Sequence, residues 1–141
     1  MDDPENIIKQ FHPHPVQFFS FYFDGILLAV FGFFFSLPFS LIFILIGSLV
    51  CVFAEVSRRA ETFYVLESGI ERGYRMLSTS RKFIEYSKIQ DIEVDQSFVE
   101  NMFGIGTLKF DTAGSDEIEL SFKGAKDPYG IEKIIREKMS R

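Results

Sequence analysis

Residues 16–56 read VQFFSFYFDGILLAVFGFFFSLPFSLIFILIGSLVCVFAEV, and this stretch decides how the chain folds. Its charged residues are Asp24 and Glu55. A helix needs about 20 predominantly apolar residues to cross a bilayer, so the stretch is long enough for two such helices. Proline disfavours helical geometry in the residue before it and often begins a new helix. Pro38 therefore divides the stretch, and we predict two transmembrane helices, residues 16–35 and 38–56, joined by a tight turn.

Small residues recur at helical spacing on one face of each predicted helix. Helices in lipid associate through such stripes, because small side chains let two backbones approach closely. Two stripes on consecutive helices predict that the helices pack on each other; packing against a second copy or a partner protein is the alternative. The helix-packing residues are Gly25, Ala29, Gly32 and Ser36 in the first helix, and Ser40, Gly47, Cys51 and Ala54 in the second.

Asp24 is the unusual residue of the first helix. A carboxylate inside a membrane span is energetically costly and often has a function. Two interpretations are open. Either Asp24 is hydrated at the membrane interface beside Tyr22, or it contacts a partner.

Basic residues lie at the two outer ends of the predicted hairpin and not in the turn between its helices. Arg58 and Arg59 follow the second helix, Lys9 precedes the first, and the turn between the helices carries no charge. Loops rich in Lys and Arg stay on the cytoplasmic side of a membrane. We therefore expect a multi-pass protein of the cell membrane, with both termini and the C-terminal domain in the cytoplasm.

Composition excludes several classes of function. The formal net charge of −5 disfavours a nucleic-acid partner, since phosphate-binding surfaces are normally basic. His12 and His14 lack further His or Cys residues to complete a metal site, because the single cysteine, Cys51, lies in the apolar stretch. No nucleophile stands beside a base in the sequence. We expect no metal, cofactor, small-molecule substrate or enzymatic activity.

From residue 61 onwards the apolar residues alternate with polar ones, a period typical of antiparallel strands with one covered face. Ser97 and Glu100 have the spacing of a capping box, which predicts a short helix ending at Gly104. Asp127 and Pro128 are typical of a helix start, so a C-terminal helix should cover the sheet. A turn is predicted at residues 113–116. The strands are predicted at residues 62–67, 73–77, 82–86, 89–97, 108–112 and 118–122.

The stretches TFYVLESGIERGYRM (residues 62–76), FIEYSKIQDIEVDQSFVENMFGIGTLKFDTAG (83–114) and IELSFKGAKDPYGIEKII (118–135) resemble the bacterial and archaeal pleckstrin-homology-like (PH-like) domain. The resemblance implies an α+β fold: a strongly bent sheet of seven antiparallel strands, or barrel, capped by the C-terminal helix and preceded by the transmembrane hairpin. Gly104-Ile105-Gly106 follows a predicted short helix and opens a predicted strand, the reverse of a phosphate-binding glycine loop, so a turn is favoured over a nucleotide site. Residues 1–15 are then an N-terminal lead, 16–57 the hairpin and 58–141 the PH-like domain.

Charge is unevenly spread over this domain. Residues 55–90 contain seven basic residues and five glutamates, whereas residues 91–141 contain seven basic and eleven acidic residues. Such polarity would orient the basic part on an anionic leaflet, at about 1 kcal/mol for each basic group near the surface. Ordinary solvated charge is the alternative. The residues expected to contact lipid headgroups are Arg58, Arg59, Arg72, Arg75, Arg81 and Lys82.

Three acidic residues, Asp91, Glu93 and Asp95, alternate along one predicted strand. Alternate residues of a strand are about 7 Å apart, wider than one calcium ion spans, so a solvated face is favoured over a calcium site.

The leading hypothesis is a membrane-anchored, non-enzymatic PH-like module that recruits or assembles protein partners, or copies of itself, at the cytoplasmic face. One alternative is a sensor of anionic membrane lipids. Another is a small accessory subunit of a membrane transport complex.

Overall fold

The structure is a computed structural model that describes residues 6–113 and 120–141. It is an α+β protein with two long helices towards the N-terminus, two antiparallel sheets and a helix at the C-terminus. Short 3-10 turns lie at Pro15–Phe18 and Tyr86–Lys88. The elements in chain order are β1 (Ile7–Phe11), α1 (Phe19–Gly32), α2 (Phe39–Ala60), β2 (Glu61–Leu66), β3 (Gly69–Arg75), β4 (Thr79–Glu85), β5 (Ile89–Asp95), α3 (Phe98–Met102), β6 (Ile105–Thr112), β7 (Leu120–Lys126) and α4 (Pro128–Met139).

The two long helices pack on each other and form a hairpin. With the preceding 3-10 turn, the first covers Pro15–Gly32, and the second covers Phe39–Ala60. Both are long and apolar enough to cross a membrane, by length and composition. Only 11% of the residues in the most apolar stretch of each helix are buried, and most of the large apolar side chains are exposed.

The link between the helices is longer than the sequence predicts. Helix α1 ends at Gly32, and its last turn tightens into hydrogen bonds from Phe33 N–H to the Val30 carbonyl and from Phe35 N–H to the Gly32 carbonyl. Such tight turns satisfy carbonyl groups that the end of a helix leaves free. The sequence predicts the second helix at residues 38–56, whereas α2 begins one residue later, after Pro38, and continues to Ala60.

The seven strands form two sheets. The first sheet has the order β1-β2-β3-β4 and the second the order β5-β6-β7, and every neighbouring pair is antiparallel. Periodicity predicts six strands and misses β1, a five-residue strand separated from its partner by the whole hairpin. Phe11 of β1 stands opposite Phe63 of β2, so the first sheet takes strands from both sides of the hairpin.

The core lies between the two sheets. Phe122 is fully buried at its centre, with ring centroids 4.7 Å from Phe63, 4.9 Å from Phe110 and 5.7 Å from Phe11. Ile131 and Ile135 of α4 close this core, which is the position that the sequence predicts for the C-terminal helix. Burying aromatic rings of this size supplies much of the apolar area that stabilises a small domain.

Several local predictions are confirmed. Ser97 and Glu100 form the capping box at the start of α3, and the Asp127 side chain accepts a hydrogen bond from Gly130 N–H at the start of α4. Strand β3 begins at Gly69, earlier than predicted, and Gly69 pairs with Glu85 of β4; a side chain at residue 69 would collide with the Phe83 ring and the Ile84 carbonyl. Apart from Ala113, the turn predicted at residues 113–116 lies outside the described residues, as do the first two positions of the strand predicted at 118–122.

Candidate functional site

A groove of about 590 Å³ lies on the outer face of the first sheet, beside the last turn of α2. Three arginines from three elements meet there: Arg59 of α2, Arg75 of β3 and Arg81 of β4. The strand register explains part of this meeting. Thr62, Gly73 and Arg81 stand opposite one another in neighbouring strands, so they share one face of the sheet.

Two of the three arginines have acidic neighbours. Arg59 Nε donates to Glu55 Oε1 over 2.6 Å, yet the Arg59 side chain is 72% exposed. Arg81 Nε lies 2.8 Å from Oε1 of the buried Glu71. Arg75 makes no ion pair with any described residue. A guanidinium has five N–H donors, so three arginines on one groove could together bind an anion such as a phosphate.

The remaining basic residues of the predicted headgroup set point elsewhere. Arg72 and Lys82 stand opposite each other on the other face of the first sheet, and Arg72 pairs with Glu61. Arg58 lies where the hairpin meets the domain, and its guanidinium donates hydrogen bonds to Glu55 and to the Pro13 carbonyl. The structure therefore brings together three of the six predicted residues and separates the other three.

The base of the hairpin is held by a polar network around Glu55. Tyr22 O–H of α1 donates to Glu55 Oε2 over 2.8 Å. Arg58 donates to both Glu55 oxygens, over 3.0 Å from Nε and 2.7 Å from Nη2, and Nη1 donates to the Pro13 carbonyl over 3.3 Å. The i,i+3 and i,i+4 spacing of Glu55 to Arg58 and Arg59 is a sequence signal that could have found this network.

The two histidines join the same base to the domain. His14 N–H donates to the Gly124 carbonyl over 2.9 Å, and His14 Nδ1 accepts from Val16 N–H over 3.3 Å. Burial and the nearby cations Lys126 and Arg58 lower the pKa of His14, which keeps Nδ1 free to accept this bond. His12 Nδ1 lies 2.8 Å from the Glu61 carbonyl. No cluster of three or more metal-binding side chains occurs among the residues that the structure describes.

Small residues bring the two helices into close contact. Gly25 lies against Gly47 and Cys51, and a Cβ atom on Gly25 would lie 2.6 Å from Cys51 Sγ. Gly32 lies against the Ser40 carbonyl, and Gly47 packs on the Ala29 backbone. Ala54 is buried. Ser36, also predicted to pack between the helices, is instead exposed in the link, because α1 ends before it.

Asp24 is exposed and has no hydrogen bond or ion pair with a described residue. Two residues along a helix correspond to about 200° of rotation. Tyr22 reaches α2, so Asp24 points to the opposite side of the hairpin.

Helix α3 carries an apolar surface that sequence reasoning missed. Phe98 is 82% exposed and Met102 71%, and Val99 and Phe103 are also more than half exposed. Contiguous apolar patches on a domain surface typically mark an interaction site. The run Phe98-Val99 beside Met102-Phe103 was visible in the sequence, but a five-residue helix gives no periodicity from which to tell its outer face.

Comparisons with known proteins found a family model and a solved structure that are similar to this chain. The family model described as the bacterial PH domain matches residues 23–139, which is most of the chain. One similar solved structure is a DUF1696-family protein with a pleckstrin-homology domain from Shewanella loihica PV-4. It has 19% sequence identity and a TM-score of 0.46, and the match covers 56% of this chain and 70% of that one. A search of curated proteins found no match. On the family match, this chain belongs to the bacterial PH domain family.

Proposed function

We propose that this protein is a membrane-anchored, non-enzymatic interaction module. The helical hairpin spans the cell membrane, and the PH-like domain and both termini lie in the cytoplasm. There the domain recruits or assembles protein partners. Domains of this family generally mediate protein or lipid interactions, which supports a binding role over a catalytic one.

The outward surface of the hairpin supports the anchoring. Large apolar side chains such as Phe34, Leu45 and Leu49 are exposed along both helices and would be covered by lipid. Arg58 and Arg59 stand where α2 meets the domain, and positive residues favour the cytoplasmic side. The link at residues 33–38 then lies on the other side of the membrane.

Cysteine labelling tests this anchoring and orientation. In a Cys51→Ala background, we expect a cysteine at Ser87, in the domain, to react with an impermeant maleimide only after cells are permeabilised. A cysteine at Leu37, in the link, should react in intact cells. The protein should stay in the membrane pellet after alkaline carbonate extraction. Extraction into the supernatant, or the reverse labelling pattern, would contradict the proposal.

The apolar surface of α3 is the observation that best supports a protein partner. Acidic side chains of β5 lie next to it in the chain: Asp91, Glu93 and Asp95 are all exposed. Lys109 lies between Glu93 and Asp95, and Arg136 lies 3.6 Å from Asp91, so two cations face these three acids. Exposed acidic side chains on the strand that leads into α3 are repelled by an anionic leaflet, whereas they attract a protein with basic residues. We therefore infer that α3 binds a protein and not the bilayer.

Photocrosslinking from α3 tests this inference. A photoreactive residue at Phe98 should form one discrete protein adduct, either with a partner or with a second copy of the chain. Interface side chains of this size often contribute more than 1 kcal/mol to binding, so Phe98→Ser combined with Met102→Ser should reduce the complex at least tenfold. Leu77→Ser is the matched control, because Leu77 is 97% exposed on a different turn. Adducts with lipid alone would refute the inference.

Binding of anionic lipid is the second candidate function, and the arginine groove favours it. The groove lies at the end of α2, where that helix would leave the membrane, so its arginines would stand at the level of lipid phosphates.

A further inference from the structure

A second groove lies on the outer surface of the hairpin, on the half of α2 nearer the domain. Its volume is about 530 Å³, and every side chain that lines it is apolar, including Phe21 of α1 and Leu49, Val52, Phe53 and Val56 of α2. We call it the apolar channel. In a hairpin that spans the membrane, this part of α2 lies in the cytoplasmic leaflet.

The apolar channel leads towards the arginine groove. Val52 and Arg59 are seven residues apart on α2, which is nearly two helical turns, so they lie on almost the same line along the helix. Val56 lines the channel and Arg59, about 4.5 Å further along the axis, lines the groove. The two grooves are therefore consecutive parts of one path down the same side of α2.

A ligand that fills this path must be apolar at one end and anionic at the other. The apolar end must lie in the hydrocarbon of the leaflet, and the anionic end must lie about 10 Å away at the headgroup level. A phospholipid of the cytoplasmic leaflet has this arrangement, with an acyl chain joined to a phosphate.

We propose that one anionic phospholipid binds in this composite site. An acyl chain occupies the apolar channel, and the phosphate accepts hydrogen bonds from Arg59, Arg75 and Arg81. The inference rests on the membrane anchoring proposed above, and it adds a defined lipid stoichiometry and a specific position.

Charge decides between lipid classes at this site. Three arginines line the groove, and among the described residues Glu71 is an acid paired with Arg81. Glu55 is shared between Arg59 and Arg58. Among the described residues the arginines that line the groove outnumber these acids, which favours a lipid with net negative charge over a zwitterionic one.

Native mass spectrometry of the full chain tests the proposal. The protein is released from detergent after incubation with phosphatidylglycerol or with phosphatidylcholine. We expect one phosphatidylglycerol to stay bound through mild collisional activation, and phosphatidylcholine to be lost. Equal retention of the two lipids, or a broad distribution of phosphatidylglycerol numbers without a step at one, would overturn the proposal.

Paired variants locate the site. Arg75→Gln should lower the retained phosphatidylglycerol about fivefold, since one basic group near a membrane surface contributes about that factor. Lys82→Gln, on the other face of the same sheet, should leave it unchanged. Val52→Trp should fill the channel and lower retention, whereas Val30→Trp, an exposed position on α1, should not. A Val52→Trp protein that retains as much lipid as the Val30→Trp protein would refute the channel.

Two further measurements distinguish a failure of the lipid proposal from a failure of the proposed membrane anchoring. Inorganic phosphate at millimolar concentration should not displace the lipid; displacement would mean that the groove binds a free anion without help from the channel. Carbonate extraction is run on the same preparations. A protein that resists extraction but retains no phosphatidylglycerol refutes this inference alone, whereas a protein that is extracted refutes the membrane anchoring.

Discussion

A chain in which about four glycine and serine residues replace residues 13–60 should fold as a soluble PH-like domain, whereas residues 61–141 alone should aggregate. Strand β1 is the reason for the difference. It covers the edge of β2, and Phe11 packs on Phe63 and Phe122, with ring centroids 5.3 and 5.7 Å apart. Without β1 a row of backbone N–H and C=O groups and two core rings would face water, and such edges pair with other chains.

The short linker is feasible because the end of β1 and the start of β2, between which the hairpin is inserted, lie close together. His12 Nδ1 lies 2.8 Å from the Glu61 carbonyl, so a tight turn can join β1 to β2 directly. Size-exclusion chromatography and dispersion of the amide NMR spectrum measure the outcome. If residues 61–141 alone give a monomer with the same spectrum and melting temperature as the linked chain, β1 is dispensable and the prediction is wrong.

Two variants of the chain with the glycine-serine linker measure how much the side chains of β1 contribute to stability. Phe11→Ala removes a half-buried ring and should lower the free energy of unfolding by about 2–3 kcal/mol. Gln10→Ala keeps the same strand and changes an exposed side chain, so its effect should stay within about 0.5 kcal/mol.

Gly47→Leu should separate the two helices of the hairpin. A Cβ atom at this position would overlap the Gly25 carbonyl oxygen and lie 2.8 Å from the Ala29 amide nitrogen, which are backbone atoms that cannot turn away. Forcing extra atoms into packed contacts costs about 1–3 kcal/mol. In mild detergent the melting temperature should fall by roughly 4–12 °C, read from the loss of the monodisperse chromatographic peak.

Ser48→Leu is the matched control for that variant. It adds a similar side chain at the next residue, which is exposed on the outside of α2 and bonds only to the Ile44 carbonyl of its own helix. We expect its melting temperature to match that of the unmodified protein. Equal melting temperatures for the two variants would show that the contact of Gly25 with Gly47 does not hold the helices together.

Local and periodic features of the fold could be predicted from the sequence. The two long apolar segments, the capping box at Ser97 and the helix start at Asp127 each depend on residues within one or two turns of one another. Strand β1 could not be predicted, because its pairing joins Phe11 to a residue more than fifty positions away and five residues show little periodicity. Helix α1 ended early because tight turns of the backbone at residues 33–35 replaced its last helical turn.

The candidate site was harder to predict than the fold. Composition indicated a basic region, yet only strand register tells that Arg81 shares a face with Thr62 and that its neighbour Lys82 points to the other side. No sequence pattern predicted the apolar channel or the apolar surface of α3. Apolar side chains read alike in a sequence whether they are buried, lipid-covered or exposed.

The route of the chain through the hairpin has a mechanical consequence. Strand β1 passes through a short 3-10 turn into α1, and α2 ends at Ala60, where β2 begins at Glu61, so the domain is fastened to the hairpin at two adjacent points. The Glu55 network braces the helices between those points. Because two chain segments attach the domain to the hairpin, the domain cannot rotate about a single connection. In the membrane-spanning arrangement proposed above, any tilt of the hairpin in response to bilayer thickness would turn the domain with it, and the angle at which α3 meets the proposed partner would depend on the membrane.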